Sequence, residues 1–210
     1  MLTTHRQAGF NVIELMVVLF VASILMSVGL PSFGTFLANN RMATSANDVG
    51  VALHGARTEA IKQRADVTVC ASTNWNTANP SCSNTAAMSL GWIIFRDGPL
   101  NNPNLTVDGG DEILYAHGPM NGDVTLTVAD TANVIGGRQF LNFASTGFPR
   151  AVVGGNNTIF NFQLCDHRGD HDTGGGIAAG RWIQLTPTGR PQIHRAQDEV
   201  QAGANPAGGC

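Results

Sequence analysis

Hydrophobic and polar positions along the chain fall into three regimes. Residues 15–40 run for 26 positions without a charged side chain. A bilayer crossing needs about 20 predominantly apolar residues in a helix, so this stretch predicts a membrane-spanning segment that is apolar on every side. From residue 41 the pattern turns amphipathic. Met42, Ala46, Val49, Leu53, Ala56 and Ala60 recur at steps of three and four, which draws one apolar stripe along a helix. Arg41, Asp48, Arg57, Glu59, Lys62 and Arg64 fall on its other faces. The two regimes together predict one helix over roughly 10–64, with a kink or local melting at Gly29-Leu30-Pro31, where proline removes a hydrogen bond and crowds the preceding turn.

After Asp66 the period shortens to that of strands. Short β-branched or aromatic runs at 67–70, 91–96, 112–115, 139–143, 158–164, 182–186 and 192–194 are separated by loops rich in Gly, Asn, Ser and Pro. Val124, Leu126 and Val128 alternate with Thr125 and Thr127, the mark of a half-buried strand. One long N-terminal helix followed only by strands predicts an α+β fold with the helix lying across antiparallel sheets.

Composition narrows the function. The chain has 210 residues, only 13% of them charged, and a formal net charge of −3. That balance is too mild to imply nucleic-acid or acidic-lipid binding by the molecule as a whole. No nucleophile elbow, phosphate loop or His-Glu-x-x-His motif occurs, so the chain does not read as an enzyme and implies no cofactor. The four cysteines, Cys70, Cys82, Cys165 and Cys210, fit an oxidising, extracytoplasmic compartment. Three pairings are possible. The favoured one joins Cys70 to Cys82 across a polar loop and Cys165 to Cys210 at the tail. The competing zinc site lacks Cys-x-x-Cys or His-x-x-x-His spacing.

Polar groups elsewhere raise narrower possibilities. Asp97, Asp108, Asp111 and Glu112 offer oxygens to calcium, but their spacing matches no EF-hand, and Asp-Gly turns account for them as well. The run from Asp166 to Asp172 mixes His and Asp, as a transition-metal site would, and reads more simply as a solvated loop. His54 reads as a packed or surface residue of the helix. Arg181, Arg190 and Arg195, with His194 nearby, gather positive charge suited to DNA phosphates, although Asp198 and Glu199 weaken the local field.

Glu14 stands at the head of the apolar run with no basic neighbour between Arg6 and Arg41. An ionisable group at the lip of a membrane segment points to function. The small residue Gly9 precedes the apolar run instead of following it, unlike a secretory signal. The motif Gly9-Phe10-Asn11-Val12-Ile13-Glu14-Leu15 resembles the type III signal of type IV prepilins and type II secretion pseudopilins. Asn11 stands where Thr is common in that motif. Further landmarks spread the resemblance over nearly the whole chain: Cys70, Cys82, Gly91-Trp92-Ile93-Ile94-Phe95, Asp97, Gly110-Asp111-Glu112, Phe143, Gly147, residues 160–165 and Gly189-Arg190. Together they resemble the GspH/FimT family of minor pilins and minor pseudopilins.

The resemblance implies a type IV pilin-like fold and a definite life history. A prepilin peptidase cuts after Gly9 and N-methylates Phe10. Glu14 then faces the N-terminal amine of a neighbouring subunit during assembly. The implied organisation is a leader at 1–9, a transmembrane and assembly helix at 10–40, an amphipathic half-helix at 41–66 and a β-rich periplasmic domain at 67–210. The implied partners are other minor and major pilins or pseudopilins. The implied location is the inner membrane, crossed once, and afterwards a pilus or pseudopilus whose assembly the chain helps to initiate or cap. Some FimT-type pilins bind DNA for uptake through a C-terminal Gly-Arg-x-Arg motif. Here Gly189-Arg190-Pro191 matches its first half, and Gln192 occupies the position of the second Arg.

Overall fold

The computed structural model describes residues 11–98, 106–131, 133–137, 139–150, 158–203 and 205–210. The leader and the residues expected to be cut and methylated, Gly9 and Phe10, lie outside them. The chain divides into two compact units, 1–40 and 41–210.

Helix α1 (Val12–Gln63) contributes to both units. Asn11 precedes it, with its Oδ1 3.5 Å from the Ile13 amide, and Glu14 sits in the first turn, where a negative charge complements the helix dipole. In the first unit the helix continues unbroken through 29–31, so the local melting expected there is not found. One proline deletes one hydrogen bond, and the intact bonds on either side carry the helix past it. The far end of α1 stops by backbone geometry. Arg64 takes the left-handed conformation, φ 53°, and the Ala65 amide donates to the Ala60 carbonyl at 3.3 Å, a Schellman-type closure.

In the second unit, residues 41–63 of α1 supply the spine. All six residues of the apolar stripe are buried, none more than 4% exposed. They meet two antiparallel sheets. The first holds β1 (Val67–Ala71), β2 (Trp92–Arg96), β3 (Glu112–His117), β5 (Phe140–Phe143) and β6 (Pro149–Arg150), in the order β3-β2-β1-β5-β6. The second holds β4 (Thr125–Ala129), β7 (Asn161–Cys165), β8 (Ile177–Leu185) and β9 (Pro191–Ala196), in the order β4-β7-β8-β9. Val67, Val69, Ile94, Leu141 and Phe143 from the first sheet and Leu126, Val128, Phe162, Leu164, Ile183 and Leu185 from the second share one core with the stripe. The fold is therefore α+β, a long helix packed on antiparallel sheets.

Both sheets are also covered on their outer faces, which is why several strands read as continuous apolar runs instead of alternating. Cys70, Ile93, Phe95 and Phe140 form a second cluster beneath the loop that carries Trp75 and Cys82, and Cys70 is bonded to Cys82. Trp75 lies in a slot between Gly91 and Gly118; a β-carbon on either glycine would come within 3 Å of its ring. Across the second sheet, Ala178 and Trp182 pack on Val200 of the short helix α2 (Gln197–Val200). Cys165 bonded to Cys210 holds the tail beside them.

Three elements exceed what the residue pattern predicts. β8 starts at Ile177 instead of 182, through a run of Ala and Gly with no β-branched signal. β6 is only two residues long, and α2 only four.

Candidate functional site

In the first unit the large apolar side chains of α1 face outward on all sides: Val12, Phe20, Leu25, Leu30 and Phe33 are each at least 59% exposed. This is the one helix among the described residues that is long and apolar enough to cross a membrane. Glu14 is exposed at its head. Its carboxylate is thus presented beside an apolar surface that nothing in the unit covers, an arrangement suited to a lipid anchor or to packing among other helices.

The C-terminal arginines do not form one cluster. Arg181 is only 6% exposed. It lies where β8 bulges between Ile177 and Trp182, opposite β9. Such a bulge strands backbone carbonyls, and the Arg181 Nη1 donates to the carbonyls of Ala178, Ala179 and Gly180. Burial lowers its pKa, with further lowering from Arg195 and Arg168 and an opposing effect from Asp166. Arg181 therefore holds the bulge together, and the expectation that it meets DNA phosphates is corrected: its guanidinium is turned to its own backbone. Nothing in the sequence marked the bulge.

Arg190 and Arg195 are exposed. Arg190 closes the β8–β9 turn, where the Thr186 amide donates to its carbonyl at 2.9 Å and its amide donates to Thr186 Oγ1 at 3.0 Å. Gly189 in that turn has φ 78°, and a β-carbon there would meet the Gly147 carbonyl oxygen and Arg57 Nε. Arg57 Nε donates to the same carbonyl at 3.1 Å, so α1 fixes the turn that presents Arg190. Arg195 follows on β9. Neither arginine makes an ion pair or a side-chain hydrogen bond among the described residues.

The acidic loops are bound by their own backbone. Asp111 accepts the amides of Gly98 at 2.8 Å and Asp108 at 2.9 Å. Asp172 accepts those of Gly174, Gly176 and Ile177. Asp166 pairs with Arg168 at 2.6 Å. No group of three or more metal-binding side chains occurs among the described residues. His54 is exposed on α1.

Two histidines that sequence reasoning did not weigh as a pair occupy matching settings. His117 on β3 stacks on Trp92 with ring centroids 3.9 Å apart and faces Asp48 of α1 at 3.7 Å. His194 on β9 stacks on Trp182 at 4.4 Å and faces Glu199 of α2 at 3.2 Å. Each fastens an edge strand to a helix.

Two shallow grooves flank α1 in the second unit. One lies toward β3 and is lined by Ala52, Gly55, Leu114 and Tyr115 among others. The other lies toward β9 and is lined by Gly50, His54, Pro191 and Ile193 among others. Val51, 70% exposed, borders both.

A family model described as type II transport protein GspH matches residues 45–189. Among solved structures, the chain is similar to the type IV minor pilin FimU of Pseudomonas aeruginosa in two crystal forms. In the P21 form the identity is 18% and the TM-score 0.46, over 76% of this chain and 92% of that one. In the P65 form the identity is 19% and the TM-score 0.43, over 72% and 91%. No curated protein matches the chain.

Proposed function

The chain belongs to the GspH family, and from that premise we propose that it is a minor pilin or pseudopilin that helps initiate or cap a type IV pilus or type II secretion pseudopilus. In this reading prepilin peptidase removes residues 1–9 and methylates Phe10. The apolar part of α1 holds the subunit in the inner membrane by a single crossing, with the β-rich domain in the periplasm. Assembly then moves that helix out of lipid and in among the helices of other pilins. The observation that carries the reading is Glu14: an exposed carboxylate in the first turn of a helix whose large apolar side chains in the first unit are uncovered. In a low-dielectric surrounding an isolated carboxylate is strongly disfavoured, whereas one paired with an amine is not. The free amine of a cleaved neighbouring subunit supplies that charge.

The test has two parts. Mass spectrometry of the membrane form should give a chain beginning at a methylated Phe10; an intact leader would overturn the processing. Glu14→Ala should leave membrane insertion unchanged and remove the protein from sheared pili or pseudopili. Normal incorporation of Glu14→Ala would end the role given to Glu14, and absence of the wild-type chain from sheared pili and pseudopili would end the assembly reading.

A second reading, DNA capture at a pilus tip, is favoured by the exposed, unpaired side chains of Arg190 and Arg195. Mobility shifts at low salt, repeated with Arg190→Ala and Arg195→Ala, test it. Absence of a shift for the wild-type chain removes it.

A further inference from the structure

Two hairpin tips of the second unit are built on one plan. Residues 143–149 read Phe-Ala-Ser-Thr-Gly-Phe-Pro and residues 185–191 read Leu-Thr-Pro-Thr-Gly-Arg-Pro. Thr-Gly-x-Pro thus closes both the β5–β6 and the β8–β9 hairpin. Their registers agree, with Phe143 opposite Pro149 and Leu185 opposite Pro191. Their hydrogen bonds agree as well. The Gly147 amide donates to the Ala144 carbonyl at 2.7 Å, and the Ala144 amide to the Phe148 carbonyl at 2.9 Å. In the other tip Gly189 donates to Thr186 at 2.8 Å, and Thr186 to Arg190 at 2.9 Å. Gly147 and Gly189 take φ 80° and 78°, the left-handed position that such a loop reserves for glycine. What differs is the residue after the glycine: an aromatic ring in one tip, a guanidinium in the other.

The two tips touch. A β-carbon on Gly189 would meet the Gly147 carbonyl oxygen, and one on Gly147 would come within 2.6 Å of Ile61 on α1. Arg57, one helical turn before Ile61, donates its Nε to that same carbonyl at 3.1 Å. Phe148 and Arg190 therefore occupy neighbouring positions, each one residue from the contact. The proline after each restricts it to extended backbone, so both are set in place before any partner arrives.

The surface they form is apolar beside a cation. Phe148 is 50% exposed and Ile61 46%. Arg190 is exposed and makes no ion pair among the described residues. Charges nearby are largely neutralised: Lys62 pairs with Glu59 at 3.0 Å and Arg150 with Asp66 at 3.1 Å. Aromatic and aliphatic side chains edged by arginine are the make-up of a protein-contact centre. A nucleic-acid strand draws on a run of unpaired cations, and a net charge of −3 adds nothing toward a polyanion. A guanidinium next to an apolar pair matches a carboxylate next to an apolar side chain.

We propose that the paired tips are a docking surface for a segment of a different protein, which lays an apolar side chain on Phe148 and Ile61 and gives a carboxylate to Arg190. Arg57 is the positioning residue that holds the tips together from beneath. The proposal rests on the pilin reading only for the compartment in which the partner is met.

The test places a photoreactive benzoylphenylalanine at position 148 of the full chain in its native host. Irradiation should attach it to a protein segment, mapped by mass spectrometry, with Asp or Glu close to the attachment point. Arg190→Glu should lower the yield by about tenfold or more, whereas Arg41→Ala, at an exposed arginine outside the tips, should leave it unchanged. Replacing the mapped carboxylate with Arg should restore attachment to the Arg190→Glu chain, which also shows that this chain is folded. No attached protein, a segment without a carboxylate, indifference to Arg190→Glu or failure of the restoration overturns the proposal. Attachment to lipid or to a second copy of this chain overturns it too, and attachment to DNA overturns it in favour of the DNA reading of Arg190. The pilin reading fails separately: if the wild-type chain is absent from sheared pili and pseudopili while attachment and its restoration hold, the docking surface stands and the pilin role does not.

Discussion

Replacing Gly189 with Ala tests how the β8–β9 turn is held and therefore how Arg190 is presented. Three effects of the substitution can be worked out. Gly189 has φ 78°, a conformation that costs an L-residue about 1–2 kcal/mol. The new methyl would collide with the Gly147 carbonyl oxygen, a backbone atom that cannot swing aside as a side chain can. That oxygen accepts the Arg57 Nε at 3.1 Å, and disturbing a hydrogen bond to a charged donor costs about 1.5 kcal/mol or more. Against these, Ala reduces the entropy of the unfolded chain and returns about 0.5 kcal/mol. The expected net loss is about 2–4 kcal/mol.

Urea unfolding of the full chain in detergent, followed by tryptophan fluorescence, reads this directly, because Trp92 is buried against His117. Gly55→Ala is the control of opposite sign. Gly55 lies inside α1 with open space at its β-carbon, so Ala should raise stability by about 0.5–1 kcal/mol. If Gly189→Ala melts within about 0.5 kcal/mol of wild type, the turn is not clamped by the Gly147 carbonyl, and the fixed position of Arg190 loses its basis.

Four further outcomes follow from the same structure. Arg181→Leu should destabilise by about 2–4 kcal/mol, since three bulge carbonyls lose their donor, whereas Arg190→Ala and Arg195→Ala should each stay within about 0.5 kcal/mol in the same urea assay. Replacing Cys165 and Cys210 with Ser should cost about 4 kcal/mol and replacing Cys70 and Cys82 about 3, because the closed loops span 45 and 12 residues; the reverse order would refute the loop-entropy account. Arg64→Gly should raise stability by about 1 kcal/mol, as the left-handed residue that ends α1 is then free of its β-carbon. Asp166 titrates below the ordinary carboxylate range: burial, acting in the opposite sense, is outweighed by hydrogen bonds from Arg168. A lowered folded pKa gives stability that is present above the unfolded value, about 3.9, and is lost as pH falls through the folded value, so Asp166→Asn should flatten the acid limb of a stability–pH profile below about pH 4.

What the sequence disclosed and what it withheld divide along the range of the forces involved. The apolar stripe from Met42 to Ala60 repeats every three or four residues, a signal carried by neighbours in the chain, and all of it is buried. β2 and β4 were legible for the same reason, being rich in β-branched or aromatic residues. The beginning of β8 was not, because Ala178, Ala179 and Gly180 have no strand preference of their own; Trp182 on one side and the pairing of Ile177 with Ala196 place them. Arg181 shows the limit most plainly. In the sequence it is one of three arginines close together, with nothing to distinguish it from Arg190 and Arg195. Its burial follows from a mismatch between β8 and β9, in which residues 178–181 of one strand stand opposite the single residue 195 of the other, a property of two strands and not of one. Once the bulge exists, the nearest cation is drawn in to satisfy its carbonyls, and only the arginines beyond it remain available at the surface. The same mismatch thus removes one arginine of the three from the surface, while Arg190 and Arg195 stay exposed.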